Sequence, residues 1–275
     1  MSVSEKEIQK LNNTAREIRK WVLKSISEAG SGHTGGSLSS ADIFTALYFH
    51  LLKHNPSNPE WEQRDRLILS IGHIAPVWYA SLALSGYFDK EELLTLRKLG
   101  SRLQGHPGKN HGLPGIELSA GSLGQGLSVA VGLALSFKID NKPNYVYCIN
   151  GDGELQEGSI WEAAMSASHH KLDNLISIID RNKLQIDGET ENVMQLEPLA
   201  DKWKAFGWEV FEINGHNIKE IIETVETAKK IAGKPKVIIA DTIMGKGVKS
   251  IENNHLWHGK APSKQELEQF LNELL

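Results

Sequence analysis

The sequence predicts an α/β fold with a doubly wound, mainly parallel sheet. A β-prone run over Tyr145–Ile149 is followed by residues at helical spacing between Trp161 and Ser168 and by a second β-prone run over Ile176–Ile179. A crossover of this kind is right-handed and joins parallel strands. After Gly188, helical and strand patterns alternate again, which is typical of a doubly wound sheet.

The remaining elements are predicted from periodicity and turn residues. Ser4 and Glu7 form a capping-box pattern at the start of the first helix. The Gly-rich run Gly30–Gly36 after that helix is expected to be irregular. The predicted helices cover Ser4–Glu28, Ser39–Leu52, the region near Asp89–Leu99, Gly121 to about Lys138, Leu199–Phe206 and Asn217–Ile231. The predicted strands outside the central unit cover Arg66–Ser70, Trp208–Ile213 and Lys236–Asp241.

Length and composition favour one domain that binds small molecules. A chain of 275 residues with 40% hydrophobic content can build a sizeable core, and a single domain over residues 1–275 is the simplest expectation. The formal net charge of −4 and the lack of a long Lys/Arg cluster argue against nucleic acid and membrane surfaces. Apolar runs such as Leu127–Leu135 are too short to span a bilayer, so we expect a cytoplasmic protein. The only cysteine, Cys148, is expected to be a buried, inert thiol.

Two polar loops follow neighbouring strands of the central unit. Gly151-Asp152-Gly153 follows the first strand, and Asp180-Arg181-Asn182 follows the second. Because parallel strands end at the same edge of a sheet, Asp152 and Asn182 are expected to meet there. Carboxylate and amide oxygens suit Mg2+, and the glycines and the following helix N-terminus suit a diphosphate. A lone Gly-Asp-Gly is more simply a tight turn with Asp152 as a helix N-cap, and the second loop is what favours the metal site.

The two loops together resemble a known cofactor motif. Gly151-Asp152-Gly153, twenty-eight intervening residues and then Asn182 are similar to the thiamine diphosphate motif. The runs Glu154–Gly158 and Asp180–Gly188 more specifically resemble transketolase. The resemblance implies a thiamine diphosphate-binding fold equivalent to the first domain of that family.

The resemblance also implies which residues of these loops bind the cofactor. Asp152, Asn182 and the backbone carbonyl of Leu184 would hold the metal, which is Mg2+ with Ca2+ or Mn2+ as substitutes. The flanking Gly151 and Gly153 would belong to the cofactor site. Glu157 resembles the family carboxylate that links two cofactor sites across the subunit interface.

Four histidines lie in Gly-containing loops, where any one of them would more often be a structural residue. The loops contain His33, the run Ser70–His73, His106 in Gln104–Gly108, and His258 before Gly259. All four resemble transketolase loops and occur in family order. The resemblance implies proton transfer by His33 and His258, with His258 also near the cofactor. It further implies contact of His73 with the diphosphate and a substrate-hydroxyl contact for His106, whereas the other nearby histidines, His111 and His255, match no family motif.

The turn Gly121-Ser122-Leu123 opens a helix that is rich in small residues. Tight helix packing is the simplest interpretation of such a composition. In transketolases the corresponding turn lies against the aminopyrimidine through main-chain atoms, so the resemblance implies that Gly121, Ser122 and Leu123 contact the cofactor. Many relatives have proline at the position of Ser122, a departure with little effect if only the backbone is used.

The implied reaction is transfer of a two-carbon ketol unit from a ketose phosphate to an aldose phosphate. The chain ends at Leu275, seventeen residues after His258, whereas single-chain family members continue much further. We therefore expect the N-terminal subunit of a split transketolase, which pairs with a pyrimidine-binding C-terminal subunit in an α2β2 assembly. Self-association through the small-residue helices is also expected. The sugars, and whether they belong to pentose phosphate metabolism or a specialised route, are left open by the sequence.

Other functions share part of these motifs. Deoxyxylulose phosphate synthase and the alpha chain of 2-oxoacid dehydrogenases have the metal motif but not this set of histidine loops. A cofactor-binding or regulatory subunit without catalysis is an alternative from another class. It would bind the cofactor with Mg2+ and show no turnover with any partner.

Overall fold

The computed structural model of the chain describes residues 3–274 and is centred on one parallel sheet. The strands are, in chain order, β1 (Arg66–Leu69), β2 (Val146–Gly151), β3 (Leu175–Arg181), β4 (Leu184–Gln185), β5 (Gly188–Glu189), β6 (Glu209–Asn214) and β7 (Lys236–Asp241). The sheet has the order β1-β2-β3-β7-β6, and every neighbouring pair in it is parallel. The short strands β4 and β5 form a separate antiparallel pair. The predicted parallel α/β sheet is confirmed.

Helices cover both faces of this sheet. They are α1 (Glu5–Ala29), α2 (Thr34–Ser39), α3 (Ala41–Ala46), α4 (Ala75–Leu84), α5 (Gln125–Ile139), α6 (Gly158–His169), α7 (Thr190–Val193), α8 (Leu199–Ala205), α9 (Ile218–Ala228) and α10 (Lys264–Glu273). The core on one face is built with α5, α6 and α8. The core on the other face is built with α1 to α4, α9 and α10. None of the helices within residues 3–274 combines the length and the apolar composition needed to cross a membrane.

Burial on both faces explains the apolar character of the central strands. Every residue of β3 is buried. Successive residues of this strand face opposite cores, with Ile178 on the side of α1 and Ile179 on the side of α6. This is the pattern of a parallel sheet covered by helices on both sides. Cys148 in β2 is fully buried, as predicted, and burial raises the pKa of its thiol well above the ordinary value.

The first Gly-rich run is more regular than its composition predicts. Gly30, with φ of 64°, ends α1 in the left-handed conformation, but α2 already begins at Thr34. The prediction of an irregular Gly30–Gly36 was therefore wrong from Thr34 onward. A Cβ atom at Gly35 would lie 2.6 Å from Cγ of Met244, so this glycine is needed for close packing inside a helix.

Three other predicted details differ from the structure. Ser39–Leu52 is not one helix, because α2 ends at Ser39 and α3 is followed by a wider π-type turn over Leu47–Leu51. The region Asp89–Leu99 contains only a 3₁₀ segment, Lys90–Thr95. The capping box of the first helix is half formed: Ser4 accepts from the Glu7 N–H at 3.3 Å, while the Glu7 carboxylate contacts His50. Helix α10 was not predicted, although a capping box of Ser263 and Glu266 starts it.

A buried carboxylate, Asp42, joins four segments on the α1 side of the sheet. It pairs with both terminal nitrogens of Arg19, at 3.1 and 2.5 Å, and with Nδ1 of His216 at 2.7 Å. The Ile243 N–H donates to Nε2 of His216 at 2.8 Å, so the His216 proton lies on Nδ1 and is donated to Asp42. Burial acts to raise the pKa of Asp42, but Arg19 and His216 hold this pKa below its ordinary value.

Replacing Asp42 should destabilise the fold strongly. Asp42→Ala would leave the Arg19 guanidinium buried without its partner. We expect the free energy of unfolding to fall by about 3–5 kcal/mol, measured by urea denaturation. The matched control Asp201→Ala removes an exposed pair with Lys204 and should cost less than about 1 kcal/mol. Equal losses in the two variants would contradict a structural role for the buried pair.

Candidate active site

A cleft of ≈ 410 Å³ opens at the carboxyl edge of the sheet. It brings together all candidate residues except Ser122, which is exposed and does not line it. The candidates that line the cleft are His33, His73, His106, His258, Gly121, Leu123, Gly151, Asp152, Gly153, Glu157, Asn182 and Leu184. His111 and His255, which match no family motif, lie outside its lining.

The loops after β2 and β3 meet as the parallel sheet requires. One carboxylate oxygen of Asp152, Oδ2, accepts from the Lys183 N–H at 2.5 Å. The other, Oδ1, accepts from the Gly153 N–H at 2.7 Å and caps the 3₁₀ turn that starts there, so the N-cap interpretation also holds in part. Asn182 Oδ1 accepts from the Leu184 N–H at 3.0 Å. Asp152 is 2% exposed and Asn182 9% exposed, so both oxygen donors belong to the floor of the cleft.

Arg181 is a cation behind this floor that sequence reasoning did not assign. Its Nη1 atom lies 3.2 Å from Asp152 Oδ2 and donates to Thr190 at 2.8 Å. Its Nη2 atom pairs with Glu191 and Glu197, each at 3.0 Å. Burial raises the pKa of Asp152 to about 7, although Arg181 and two backbone N–H groups act in the opposite direction. The carboxylate is therefore only partly compensated by the protein.

The donor chemistry of the floor fits a hard divalent cation. Within the described residues 3–274, no group of three or more His, Cys, Asp or Glu side chains is placed to hold a metal ion. The predicted set differs from such a group, because it consists of one carboxylate, one amide oxygen and one backbone carbonyl, from Asp152, Asn182 and Leu184. Oxygen donors of this kind suit Mg2+, which commonly keeps waters and phosphate oxygens in its octahedron. The metal assignment stays a prediction.

The four predicted histidines form one cluster above this floor. The ring centroid of His33 lies 5.0 Å from that of His73, 5.5 Å from that of His258 and 6.1 Å from that of His106. The rings of His73 and His258 are 5.1 Å apart. Each histidine comes from a different loop, and these loops follow α1, β1, the 3₁₀ segment Lys90–Thr95 and β7.

Burial keeps these imidazoles neutral. It lowers the pKa of His33 to about 4, and the nearby His258, His106 and Arg97 act in the same direction. Burial also lowers the pKa of His73, well below the ordinary value, and that of His258 and of His106. The Nδ1 atoms of His33 and His258 are buried and have no hydrogen-bond partner within residues 3–274. Because buried polar atoms are normally paired, a bound ligand with hydroxyl groups suits this pair.

Two glycines let the turns of the cleft approach each other. A Cβ at Gly72 would lie 2.9 Å from the backbone carbon of Ala120, so the turn before His73 packs directly on the turn that starts at Gly121. A Cβ at Gly151 would lie 2.9 Å from Cγ2 of Ile71. The neighbour of Gly72 is backbone, so glycine is needed there, whereas a side chain at residue 151 would force the Ile71 side chain to move.

Two buried acids of the cleft, Glu154 and Asp180, were also missed. Asp180 accepts from the hydroxyls of Ser39 at 2.5 Å and Ser40 at 2.8 Å, and from the hydroxyl of Thr242. It therefore ties the end of β3 to the segment after His33. The sequence signal for Asp180 was an acidic residue at the end of an apolar strand. Its partners are far away in the sequence, however, so no local pattern identifies them.

Comparisons with known proteins identify the family to which the chain is similar. The family described as "Transketolase, thiamine diphosphate binding domain" matches residues 10–274. A 6-deoxy-6-sulfo-D-fructose transketolase subunit of Clostridium sp. (strain MSTE9) is 50% identical over 256 residues, which cover 93% of this chain and 92% of that one. One of the subunits of apulose-4-phosphate transketolase from Phocaeicola vulgatus is 42% identical over 268 residues, covering 98% of this chain and 95% of the relative.

Solved structures give the same result for the fold. The crystal structure of transketolase from Campylobacter jejuni matches with a TM-score of 0.90 and 38% identity. The match covers 99% of this chain but only 43% of the solved one. The chain thus spans most of the two related subunits and less than half of the solved enzyme.

The low pKa of His33 should be visible in the pH dependence of stability. Its pKa is about 4 in the folded chain and about 6.5 in an unfolded one. The stability linked to its neutral form is therefore complete above pH of about 6.5 and is lost as the pH falls towards 4. His33→Asn should lose less stability than the unmodified protein over this interval, measured by urea denaturation at a series of pH values. Parallel curves for the two proteins would contradict the burial argument.

Proposed function

Because this chain belongs to the transketolase thiamine diphosphate binding family and is the N-terminal part of a transketolase, we propose that it is the diphosphate-binding subunit of a two-chain enzyme. This enzyme transfers a two-carbon ketol unit from a ketose phosphate to an aldose phosphate. The observation that carries the proposal is that the oxygen donors Asp152 and Asn182 share one cleft with four histidines. A metal-bound diphosphate and an adjacent set of proton-transfer groups are what this reaction needs at one place.

The proposed cofactor is thiamine diphosphate with Mg2+, for which Ca2+ or Mn2+ can substitute. Asp152, Asn182 and the carbonyl of Leu184 hold the metal, and His73 contacts the diphosphate. The main chain of Gly121–Leu123, Ser122 included, faces the aminopyrimidine. When bound, the cofactor supplies the nucleophilic carbon and the electron sink for cleavage of the carbon–carbon bond.

The histidines move protons and hold the substrate. His33 and His258 are neutral near pH 7, since burial lowers the pKa of each, so each can accept a proton from a donor hydroxyl. Their unpaired Nδ1 atoms provide hydrogen-bonding capacity that residues 3–274 do not use. His106, at the less buried side of the cluster, holds a hydroxyl of the ketol unit.

The proposed partner is a pyrimidine-binding C-terminal subunit in an α2β2 assembly. Both subunit relatives carry names that imply a second chain. Self-association is supported by α5 and α6, which pack on each other and expose small residues together with Val129 and Met165. The proposed role of Glu157, a link between two cofactor sites across that interface, is supported by its exposed position at the cleft.

For the substrate we propose a ketose with an anionic terminal group. One relative is named for 6-deoxy-6-sulfo-D-fructose and the other for apulose 4-phosphate. A sulfonate and a phosphate present similar oxygen acceptors to a protein. Both anions can therefore be bound by one fold that carries different side chains near the anion. The cytoplasm is the proposed compartment, in line with a single cysteine that is buried and reduced.

The metal-binding residues can be tested by cofactor titration. Asp152→Ala and Asn182→Ala each remove an oxygen donor, so we expect Mg2+-dependent binding of thiamine diphosphate to weaken by more than about a hundredfold. Isothermal titration of the assembled enzyme measures this, with circular dichroism as the check on folding. Asn192→Ala is the matched control, because its exposed amide pairs with Glu189 outside the cleft. Unchanged affinity in both test variants would refute the metal assignment.

The two-chain proposal can be tested by assaying the chain with and without a partner. The purified chain with Mg2+, thiamine diphosphate and a ketose–aldose phosphate pair should show no ketol transfer. Adding a pyrimidine-binding subunit of a split transketolase from the same genome should restore it. Robust turnover by the chain by itself would refute the need for a partner. Cofactor binding without turnover in the presence of the partner would instead indicate a regulatory subunit.

A further inference from the structure

Glu154 is a buried carboxylate at the floor of the cleft to which no catalytic or ligand-binding role is assigned above. It is 2% exposed. Its Oε1 atom accepts from the Ser70 hydroxyl and from the Gly124 N–H at 2.8 Å. Its Oε2 atom accepts from Asn150 Nδ2 at 2.8 Å and from the Gly151 N–H at 3.3 Å. Four donors thus converge on one side chain.

These donors belong to three different walls of the cleft. Ser70 starts the turn that carries His73, and Gly124 ends the turn Gly121–Leu123 and caps α5. Gly151 directly precedes Asp152. The carboxylate therefore connects the turn that starts at Gly121 with the loop that carries Asp152.

The connection extends beyond the first contacts. The Gly126 N–H donates to Oγ of Ser70 at 3.1 Å, and the Ser177 hydroxyl donates to Oδ1 of Asn150 at 2.9 Å. A Cβ at Gly126 would lie 2.5 Å from Cα of Ser70, so the start of α5 lies directly against the end of β1. The network runs from α5 through Glu154 to β3.

The four donors require an acceptor on both oxygens of residue 154. An ionised carboxylate provides acceptor sites only, and hydrogen bonds to it are stronger than those to a neutral group. A glutamine at residue 154 would have the same shape but would turn an NH2 group towards donors on one side. Some of these donors would then lose their partner inside the protein, which is costly.

We propose that Glu154 is a positioning residue that sets the spacing between the Gly121–Leu123 turn and Asp152, and so prepares the cleft for a ligand that spans both. The proposal rests on the proposed function, in which the aminopyrimidine and the diphosphate of one cofactor contact these two segments. Glu154 itself takes no part in the chemistry. Its effect is to hold the Gly121–Leu123 turn and Asp152 at a fixed distance before the ligand binds.

The first test needs no cofactor. In Glu154→Gln, hydrogen–deuterium exchange of the full chain should be about tenfold faster or more at the amides that the new NH2 group faces, which are Gly124 and Gly126 on one side or Gly151 on the other, because that side loses its acceptor. Exchange in α1 should not change. Glu162→Gln, an exposed glutamate on α6, is the matched control and should exchange like the unmodified protein. Unmodified rates at the three glycines would overturn the proposal, whatever the cofactor turns out to be.

The second test separates positioning from general stability. In the assembled enzyme with saturating Mg2+, Glu154→Gln should raise the Kd for thiamine diphosphate by about ten- to a hundredfold. Inorganic diphosphate, which reaches only the Asp152 end, should lose less than about threefold, a change within ordinary variation for a contact that is kept. Equal losses for both probes would show that Glu154 only stabilises the fold. Failure of both probes to bind the unmodified enzyme would refute the proposed function and leave the exchange result to decide the role of Glu154.

A rescue variant checks the chemistry of the network. Asn150→Asp combined with Glu154→Gln reverses the direction of one hydrogen bond, because the new amide at residue 154 can donate to the new carboxylate at residue 150. The amide oxygen then stays towards Ser70 and Gly124, so exchange at Gly124 and Gly126 should be close to that of the unmodified protein, whereas the Gly151 N–H has no acceptor at residue 154. Asn150→Asp without the second change places two carboxylates face to face and should not give this pattern. If Glu154→Gln does not fold, Ser70→Ala removes one donor and should give faster exchange at Gly126 together with the same preference between the two probes. Unmodified exchange and affinities in Ser70→Ala would overturn the proposal.

Discussion

The common direction of the five sheet strands is the constraint on which the site depends. Because β1, β2, β3 and β7 all end at the same edge, the turns that follow them converge on one cleft although they are far apart in the sequence. Helices on both faces bury the central strand β3 completely, so the carboxyl edge is where the sheet is free to carry polar groups. The positions of His73, His258 and the oxygen ligands Asp152 and Asn182 are a consequence of this direction, whereas His33 and His106 reach the cleft from loops that follow helical segments.

The sequence predicted those parts of the fold that are determined by local signals. The strand Lys236–Asp241 has the predicted bounds, and the turns of the cleft lie where glycine and polar residues follow apolar runs. The errors arose where packing overrides composition. Gly35 lies in a helix, where its glycine serves the close contact with Met244, and a helical pattern near Asp89 forms only a 3₁₀ segment. Neither effect is visible in a short stretch of sequence.

In the site, too, local motifs could be predicted from the sequence and contacts between distant segments could not. The four histidines and the Asp152–Asn182 pair could be placed because each lies in a short motif with its own glycine or acid. Asp180 and Arg181 could not be assigned roles, because their hydrogen-bond partners come from segments that only the fold brings near. The low pKa of His33 depends on burial by several elements, and no motif encodes it.

The contact around Gly35 has a consequence for how this protein can change over time. The hydrogen of Gly35 occupies the space between Met244 and the backbone of Trp257, and its carbonyl accepts from the Gly245 N–H at 3.0 Å. His33 lies two residues before this glycine, and His258 directly follows Trp257. A larger residue on either side of the contact must be matched by a smaller one on the other, so the two segments cannot drift independently. The relative positions of His33 and His258 are therefore coupled through this contact, even though the two residues lie near opposite ends of the chain.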